Sequence, residues 1–481
     1  MIPKPNPLAI ITNASFEQGL AGWTSLGVIE DGGHDGSSRL THQAGKLESI
    51  QTVNNLNNGW YTLKAWVCSS GGQKSASISL KDYGGKEQRA YVPIAPSDKW
   101  LQVTVSVEVS NRRCTIRLFS DADRGNWVSF DDLTLDPGRS ALTILGADIS
   151  SLYKSEDKGG IYFDEKGVQS DALKILHAHG MNYARLRVWF NSPDGYHGKT
   201  QILEMSKRLE AHHIKLLVDF HYSDSWADPG KQYKPKAWEN LDFASLKSAL
   251  YEHTFDICSS LYEQGTLADI VQIGNEITNG ILWPDGKNDQ SFDGLGALLK
   301  AGYQAVKDSS PSTRVMLHLD NGGNNKIFRW WFDNIIDQDV PFDLIGASYY
   351  PYWHGTLADL QNNLNDIAIR YGKDILVVET SYPFTNTDAD NYENIITNQV
   401  QPGYSFTPEG QAKMLADVMA IVRAVPLGRG LGVVWWDATW TAVPGNGWDP
   451  AEPSSGNNWE NQALFDYNYR ALPALDDFLT P

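Results

Sequence analysis

Eight short apolar runs, each followed by an amphipathic stretch, fill residues 142–437, and that alternation leaves few folds open. The runs are 142–149, 183–190, 215–222, 269–277, 314–320, 344–350, 375–381 and 431–437. Between them lie patterns of helical period at 171–179, 202–212, 245–263, 295–307, 327–336, 357–370 and 408–425, with a last helix-like stretch near 473–479. Strand and helix alternating eight times predicts a closed (β/α)8 barrel of the TIM type. The competing fold is an open, doubly wound sheet. It calls for a glycine-rich dinucleotide turn after the first strand, and Gly146-Ala147-Asp148-Ile149-Ser150 is not one.

Residues 1–138 follow a different grammar. Short alternating runs recur at 60–67, 76–80, 101–107, 115–119 and 128–135, punctuated by Gly, Asn, Asp and Ser. This is the signature of an all-β sandwich. Asp136-Pro137-Gly138-Arg139-Ser140 breaks it and marks a linker. The expectation is a multidomain chain, a jelly-roll sandwich over 1–138 and the barrel over 139–481, which suits a length of 481 residues. The opening Met1-Ile2-Pro3-Lys4-Pro5 lacks the apolar core of a signal peptide, and no apolar run is long enough to span a bilayer. A net charge of −18 argues against nucleic acid or anionic membrane as partner and leaves neutral substrates open. Cys68, Cys114 and Cys258 form neither a metal spacing nor a disulfide framework. Cys68 and Cys114 lie in strand-like segments and could pair, but buried thiols are the expected outcome.

A parallel barrel brings the C-terminal ends of its strands to one face. Glu276 ends the fourth run in Ile273-Gly274-Asn275-Glu276, and Glu379 ends the seventh in Val377-Val378-Glu379-Thr380. Though 103 residues apart, the two can meet across one cleft. Breaking a glycosidic bond needs such a pair: one carboxyl protonates the leaving oxygen, the other attacks the anomeric carbon or activates water. Ionised Glu379 would raise the pKa of Glu276 by repulsion, and Arg187 at the end of strand 2 is placed to keep Glu379 ionised. Asn275 suits a sugar 2-hydroxyl. Asp148, His221, His318 and Tyr350, at other strand ends, are candidates to bind sugar hydroxyls or orient a carboxyl. Trp226, Trp436 and Trp440 are candidate stacking platforms; strand alternation lets only one of Trp435 and Trp436 face inward, and Trp436 is the choice. The 439–461 loop, rich in Gly, Asn, Pro and Trp, should help build the site. Asp388, Asp390 and Asn394 with the Tyr392 carbonyl offer alternating oxygens that suit calcium; a solvated acidic loop is the plainer reading.

Residues 143–475 resemble the family 53 glycoside hydrolases, the endo-β-1,4-galactanases (arabinogalactan endo-β-1,4-galactanases). The stretches that carry the likeness are Gly146-Ala147-Asp148-Ile149-Ser150, Arg185-Leu186-Arg187-Val188-Trp189, the run from Asp219 to Gln232, Gln272-Ile273-Gly274-Asn275-Glu276, Val378-Glu379-Thr380-Ser381-Tyr382-Pro383 and Asn461-Gln462-Ala463-Leu464-Phe465-Asp466. The resemblance implies a retaining enzyme with Glu276 as acid/base and Glu379 as nucleophile. It implies β-1,4-galactan, as in the side chains of pectin, as substrate, and no cofactor for catalysis. It makes the run holding His221, Asp224 and Asp228 a substrate-binding loop rather than a metal triad. It also implies a structural Ca2+ tying the loops after strands 7 and 8, with Asn457 and Glu460 as the loop-8 partners, although Tyr392 replaces a histidine and two glycine-like spacers are missing. In the sandwich, Asn13-Ala14-Ser15-Phe16-Glu17, Gly22-Trp23, Gly59-Trp60-Tyr61-Thr62-Leu63 and Phe130-Asp131-Asp132-Leu133 resemble galactose-binding-type jelly-roll carbohydrate modules, with Trp23, Trp60 and Trp66 as core and a further calcium near Glu17 and Asp132. A polysaccharide partner, a monomer and an extracellular or cell-surface location are expected. A related β-glycanase (mannanase, cellulase or xylanase) and a non-catalytic carbohydrate-binding protein are the alternatives.

Overall fold

The computed structural model describes residues 11–92, 99–390 and 392–479; the 1–5 stretch read above for a signal peptide lies outside them. Two compact units emerge. One holds the described residues up to Leu142 with Thr356–Gln361 and Asp417–Gly428; the other holds the rest.

The first unit is a sandwich of two five-stranded antiparallel sheets. One runs Thr24–Ser25, Gly45–Asn54, Arg113–Ala122, Gln73–Lys81, Gln88–Tyr91; the other runs Val28–Asp31, Ser38–His42, Val128–Pro137, Gly59–Ser69, Leu101–Val109. Alternate residues of each strand fill the space between, among them Leu40, Leu63, Val103, Ile116, Leu118 and Phe130, all fully buried. Trp23 joins that core as expected. Trp60 and Trp66 do not. Tyr61, Leu63, Ala65 and Val67 take the inward positions of their strand, so the pleat sends both tryptophans to the opposite face. The three cysteines are buried and form no disulfide.

The second unit closes into the expected eight-stranded parallel barrel: β1 (Ile144–Asp148), β2 (Tyr183–Val188), β3 (Lys215–Phe220), β4 (Ile270–Ile273), β5 (Arg314–Leu319), β6 (Leu344–Ser348), β7 (Asp374–Thr380) and β8 (Gly430–Trp435). β1 pairs with both β2 and β8, which shuts the ring. Gly432 permits the seam, because a Cβ there would lie 1.7 Å from the Ile144 carbonyl oxygen. Each strand sends an apolar side chain into the lower barrel, Ile144, Tyr183, Leu217, Ile270, Met316, Leu344, Leu376 and Val434, and β7 adds Val378. The pleat repeats every two residues, so the next inward positions toward the C-terminal end are Arg185, Asp219, Gln272, His318 and Trp436, and above them Asp148, Arg187, His221, Asp320 and Ser348. A greasy plug thus carries a polar floor. Among the described residues no helix is long and apolar enough to cross a membrane.

Candidate active site

The strict pleat would not deliver either glutamate. On β7, Leu376 and Val378 both belong to the barrel plug, so simple alternation would turn Glu379 outward. Instead the register slips against both neighbours: Ser348 of β6 pairs with Glu379 after Ala347 has paired with Val377, and β8 slips between Val377 and Thr380. This bulge re-aims Glu379 into the cleft. On β4 the chain turns at Gly274 (φ +81) and again at Glu276 itself (φ +47). A left-handed backbone on a glutamate is strained, and such strain persists only where the surroundings enforce it. Both carboxyls line one open cleft of about 1020 Å³.

Arg185, not Arg187, holds Glu379. Arg185 is 1% exposed; its Nη2 lies 2.8 Å from Glu379 Oε1 and 2.8 Å from Asp219 Oδ2, while Nη1 lies 2.9 Å from Asp148 Oδ2. The same Nη2 donates to Asn275 Oδ1 at 2.8 Å. Burial works against the guanidinium charge, and the three carboxylates more than reverse that. Arg187, one inward position higher, packs against Trp226 with its guanidinium carbon 4.1 Å from the ring centre, and 5.0 Å from that of Trp189. It buttresses the tryptophan wall. Arg185 and Arg187 share a face, and the sequence cannot say which of two same-facing arginines reaches across.

Glu379 Oε2 accepts a hydrogen bond from the Tyr350 hydroxyl at 2.8 Å. Burial pushes both glutamates above the ordinary carboxylate range. Glu276 goes furthest, because Glu379 and Asp320 add like-charge repulsion. At Glu379, Arg185 and the Tyr350 hydroxyl pull the other way, while Asp219 and Asp148 push up. The pair therefore holds its shared proton on Glu276 and leaves Glu379 as the anion.

The remaining candidates fall into two groups. His221, Trp226, Asp228, Asn275, Tyr350 and Trp436 line the cleft with the glutamates. His221 takes the Ala227 N–H on Nδ1 (3.0 Å) and faces Asp219 through Nε2 (3.0 Å). Asn275 gives Nδ2 to Ala227 O at 2.9 Å. Trp436 faces inward while Trp435 points away and donates its indole N–H to Gln462 O at 2.9 Å. Asp148, His318 and Trp440 do not line the cleft, against expectation. Asp148 is fully buried on Arg185. His318, also fully buried, spans Asn275 Oδ1 (3.1 Å) and Ser348 Oγ (2.8 Å). Burial leaves it neutral. Both orient the floor, Asp148 through Arg185 and His318 through Asn275. Trp440 stacks behind, 5.6 Å from Trp226 and 5.4 Å from Trp448.

Several site residues went unnamed in the sequence reading. Asp219 sits under the cleft; burial opposes its charge, but Arg185 and His221 draw its pKa down to about 2. Asp320, Trp353, Trp448 and Trp459 line the cleft. Asp320 shares the inward face of β5 with His318, which was a usable signal. Trp448 and Trp459 lie in the tryptophan-rich 439–461 loop, where nothing in the sequence separates lining rings from packing rings.

The proposed cation ligands come together only in part. Oxygens of Asp388, Asp390 and Glu460 lie within 4.8 Å of one another. Glu460 Oε2 and Asn394 Oδ1 are buried with no hydrogen-bond partner among the described residues. Burial, with Asp390 and Asp388 nearby, pushes Glu460 up to about 7. These oxygens fit a hard cation. Asn457 does not offer its side chain: Nδ2 donates to Trp440 O (2.8 Å) and Oδ1 accepts from Trp459 N (2.9 Å). Tyr392 gives its amide N–H to Asp390 Oδ1 (2.9 Å). In the sandwich, Glu17 accepts from Ser37 N and Ser38 N, each at 2.8 Å, while Asp132 pairs with His34 at 2.9 Å. Both carboxylates thus bind the one turn that joins Val28–Asp31 to Ser38–His42.

The profile of glycosyl hydrolase family 53 matches residues 144–478. An endo-β-1,4-galactanase of Bacillus subtilis (strain 168) is 34% identical over 371 residues, covering 70% of this chain and 85% of the relative. An arabinogalactan endo-β-1,4-galactanase of Thermothelomyces thermophilus is 34% identical over 346 residues, covering 70% and 99%. Among solved structures, the GH53 catalytic domain of Ignisphaera aggregans superposes with a TM-score of 0.67 at 42% identity, covering 70% of this chain and 95% of that one.

Proposed function

The chain belongs to glycoside hydrolase family 53 and is a glycoside hydrolase, and on that premise we propose that it cuts internal β-1,4-galactosidic bonds of galactan, such as pectin side chains, with retention of configuration. One observation carries the reading: two carboxyls, Glu379 buried and Glu276 half-buried, face one cleft with opposite support, Glu379 bonded to Arg185 and Tyr350, Glu276 beside like charges. In the first step a Glu379 oxygen attacks the anomeric carbon. The bond from that carbon to the leaving O4 breaks, and Glu276 gives the O4 its proton. Esterification removes the charge of Glu379, so the repulsion on Glu276 falls and it becomes a base. It then takes a proton from water, the hydroxyl adds to the anomeric carbon, and the glutamate ester bond breaks. Trp436, Trp226 and Trp353 present flat faces for pyranose C–H surfaces.

A polymeric substrate supports work outside the cell, and the sandwich would hold the enzyme on its polymer. We further propose that Asp388, Asp390, Asn394 and Glu460 hold a structural Ca2+, supported by the partnerless oxygens of Asn394 and Glu460. It would neutralise the cluster and take no part in bond cleavage.

The test is product analysis on potato galactan by proton NMR. The first-formed reducing ends should be β. Glu276→Gln and Glu379→Gln should lose nearly all turnover, and azide should restore some activity to Glu379→Ala with an inverted product. Equal turnover on cellulose, mannan or xylan would remove the substrate assignment. First-formed α ends would remove retention.

A further inference from the structure

Behind the tryptophan wall, one buried positive charge has no opposite charge in contact. Arg187 is 4% exposed, and among the described residues it makes no ion pair with a carboxylate. Asp148 is spent on Arg185 and the Ser150 N–H, and both oxygens of Asp437 accept from Ser151, so these two act on Arg187 only from a distance. Burial therefore depresses the pKa of Arg187, whereas Arg185, clasped by three carboxylates, is raised. Arg187 Nη2 faces His197 Nε2 at 3.4 Å. Its Nε and Nη1 are buried without a hydrogen-bond partner among the described residues.

Two further donors share this condition and this place. Trp189 Nε1 and Asn446 Nδ2 are likewise buried and partnerless among the described residues. Arg187, Trp189 and Asn446 all line one cavity of about 240 Å³. The side-chain acceptors there are already engaged: Asp194 takes the Lys154 ammonium at 2.6 Å, the Ser192 hydroxyl at 2.6 Å and the Tyr196 N–H at 3.1 Å. Buried donors set around an uncompensated cation call for an acceptor that carries negative charge.

We propose that this cavity binds a monatomic anion, chloride, held by the guanidinium of Arg187, the indole N–H of Trp189 and the side-chain amide of Asn446. A halide accepts from several N–H groups at once and donates none. A water molecule brings two O–H groups to a wall whose side-chain acceptors are taken. Asp194 and Asp437 nearby disfavour an anion of higher charge. The anion has a task there. Trp226 packs on Arg187 and stacks on Trp448 at 4.7 Å, and both rings line the cleft. Chloride fixes the arginine that backs this platform.

The first test is a bromide soak of crystals of the full chain, since bromide replaces chloride and scatters anomalously. A peak between Arg187, Trp189 and Asn446 is expected, and water alone at that place overturns the site. The second is melting in sodium chloride against sodium methanesulfonate at equal ionic strength. Chloride should raise the melting temperature by about 2–4 °C, and identical melting in both salts overturns the proposal. Asn446→Asp puts a fixed carboxylate on the cavity wall and should lose both the bromide peak and the chloride response. Trp189→Phe removes one donor and should weaken the apparent affinity for chloride about tenfold. An undiminished response in both variants overturns the assignment of the donors. On the galactan reading of the barrel, chloride should also lower KM for galactan several-fold at constant kcat, and an unchanged KM overturns the link to the platform. Failure of the galactan reading is seen separately, as absence of galactan turnover in either salt, and leaves the bromide and melting tests in force.

Discussion

Arg185→Lys tests the electrostatics of the cleft most directly. The guanidinium touches three carboxylates at 2.8–2.9 Å and Asn275 at 2.8 Å. A lysine keeps a charge but cannot reach all four acceptors, since its ammonium is a point and not a fork. One unit pair about 4 Å apart at an effective dielectric constant of 20 is worth about 4 kcal/mol. At 1.36 kcal/mol per unit, complete loss would raise the pKa of Glu379 by about 3 units. A displaced ammonium retains part of this, so a rise of about 1–2 units is expected. Turnover needs Glu379 ionised, and the substitution raises its pKa; the acid limb of the profile of kcat/KM against pH must therefore move to higher pH. The basic limb, set by Glu276, should move less. Because buried charges lose a partner, stability should fall by roughly 3–5 kcal/mol, read by urea denaturation. The assay is galactotetraose hydrolysis from pH 3 to 9. A uniform loss of rate with the acid limb unmoved would refute the claim that Arg185 sets the charge of Glu379.

Other outcomes follow from the same geometry. Tyr350→Phe removes one hydrogen bond to an anion, worth roughly 1.5–3 kcal/mol, so kcat should drop about 10- to 100-fold with little change in KM. Trp353→Ala should raise KM for galactan several-fold, since this ring is 47% exposed in the cleft, whereas Trp440→Phe should leave KM alone and lower stability by about 1–3 kcal/mol. EDTA should lower the melting temperature of wild type, and Glu460→Gln should abolish that difference; equal melting with and without chelator in wild type would rule out the calcium.

Most of the barrel was legible because its signal is periodic. Apolar runs spaced by amphipathic stretches fix strand number, and the pleat then fixes which strand-end residues face inward, as Trp436 over Trp435 illustrates. Depth was not legible. His318 lies one inward layer below the cleft residues, and Asp148, level with His221 and Asp320, is taken up by Arg185; period two carries no information on height or on partners. Reach was hidden as well: Arg185 and Arg187 look alike in sequence, and only the carboxylates contributed by β1, β3 and β7 decide which one becomes the hub. In the sandwich, strand context alone suggested the core for Trp60 and Trp66, whereas Tyr61, Leu63, Ala65 and Val67 hold the inward positions of that strand. The metal cluster was half legible, since local oxygens at 388 and 390 can be read along the chain, whereas the turn of Asn457 toward Trp440 is a tertiary event.

The glutamates themselves depend on breaks in that periodicity, and the break on β4 can be tested. Gly274 holds φ +81, and a Cβ there would stand 2.5 Å from the Ile277 side chain. Alanine in left-handed backbone costs roughly 1–2 kcal/mol, and the clash adds about 1–3 kcal/mol. Gly274→Ala should therefore lose about 2–5 kcal/mol in urea denaturation. The cost can be relieved only by rotating the peptide toward Glu276, whose own φ of +47 leaves little room. Activity per folded molecule should then fall by more than tenfold, because displacement of a catalytic group by about 1 Å suffices for that. A variant that is destabilised but fully active per folded molecule would mean that the turn at Gly274 does not place Glu276, and that its left-handed backbone is set by the residues after it.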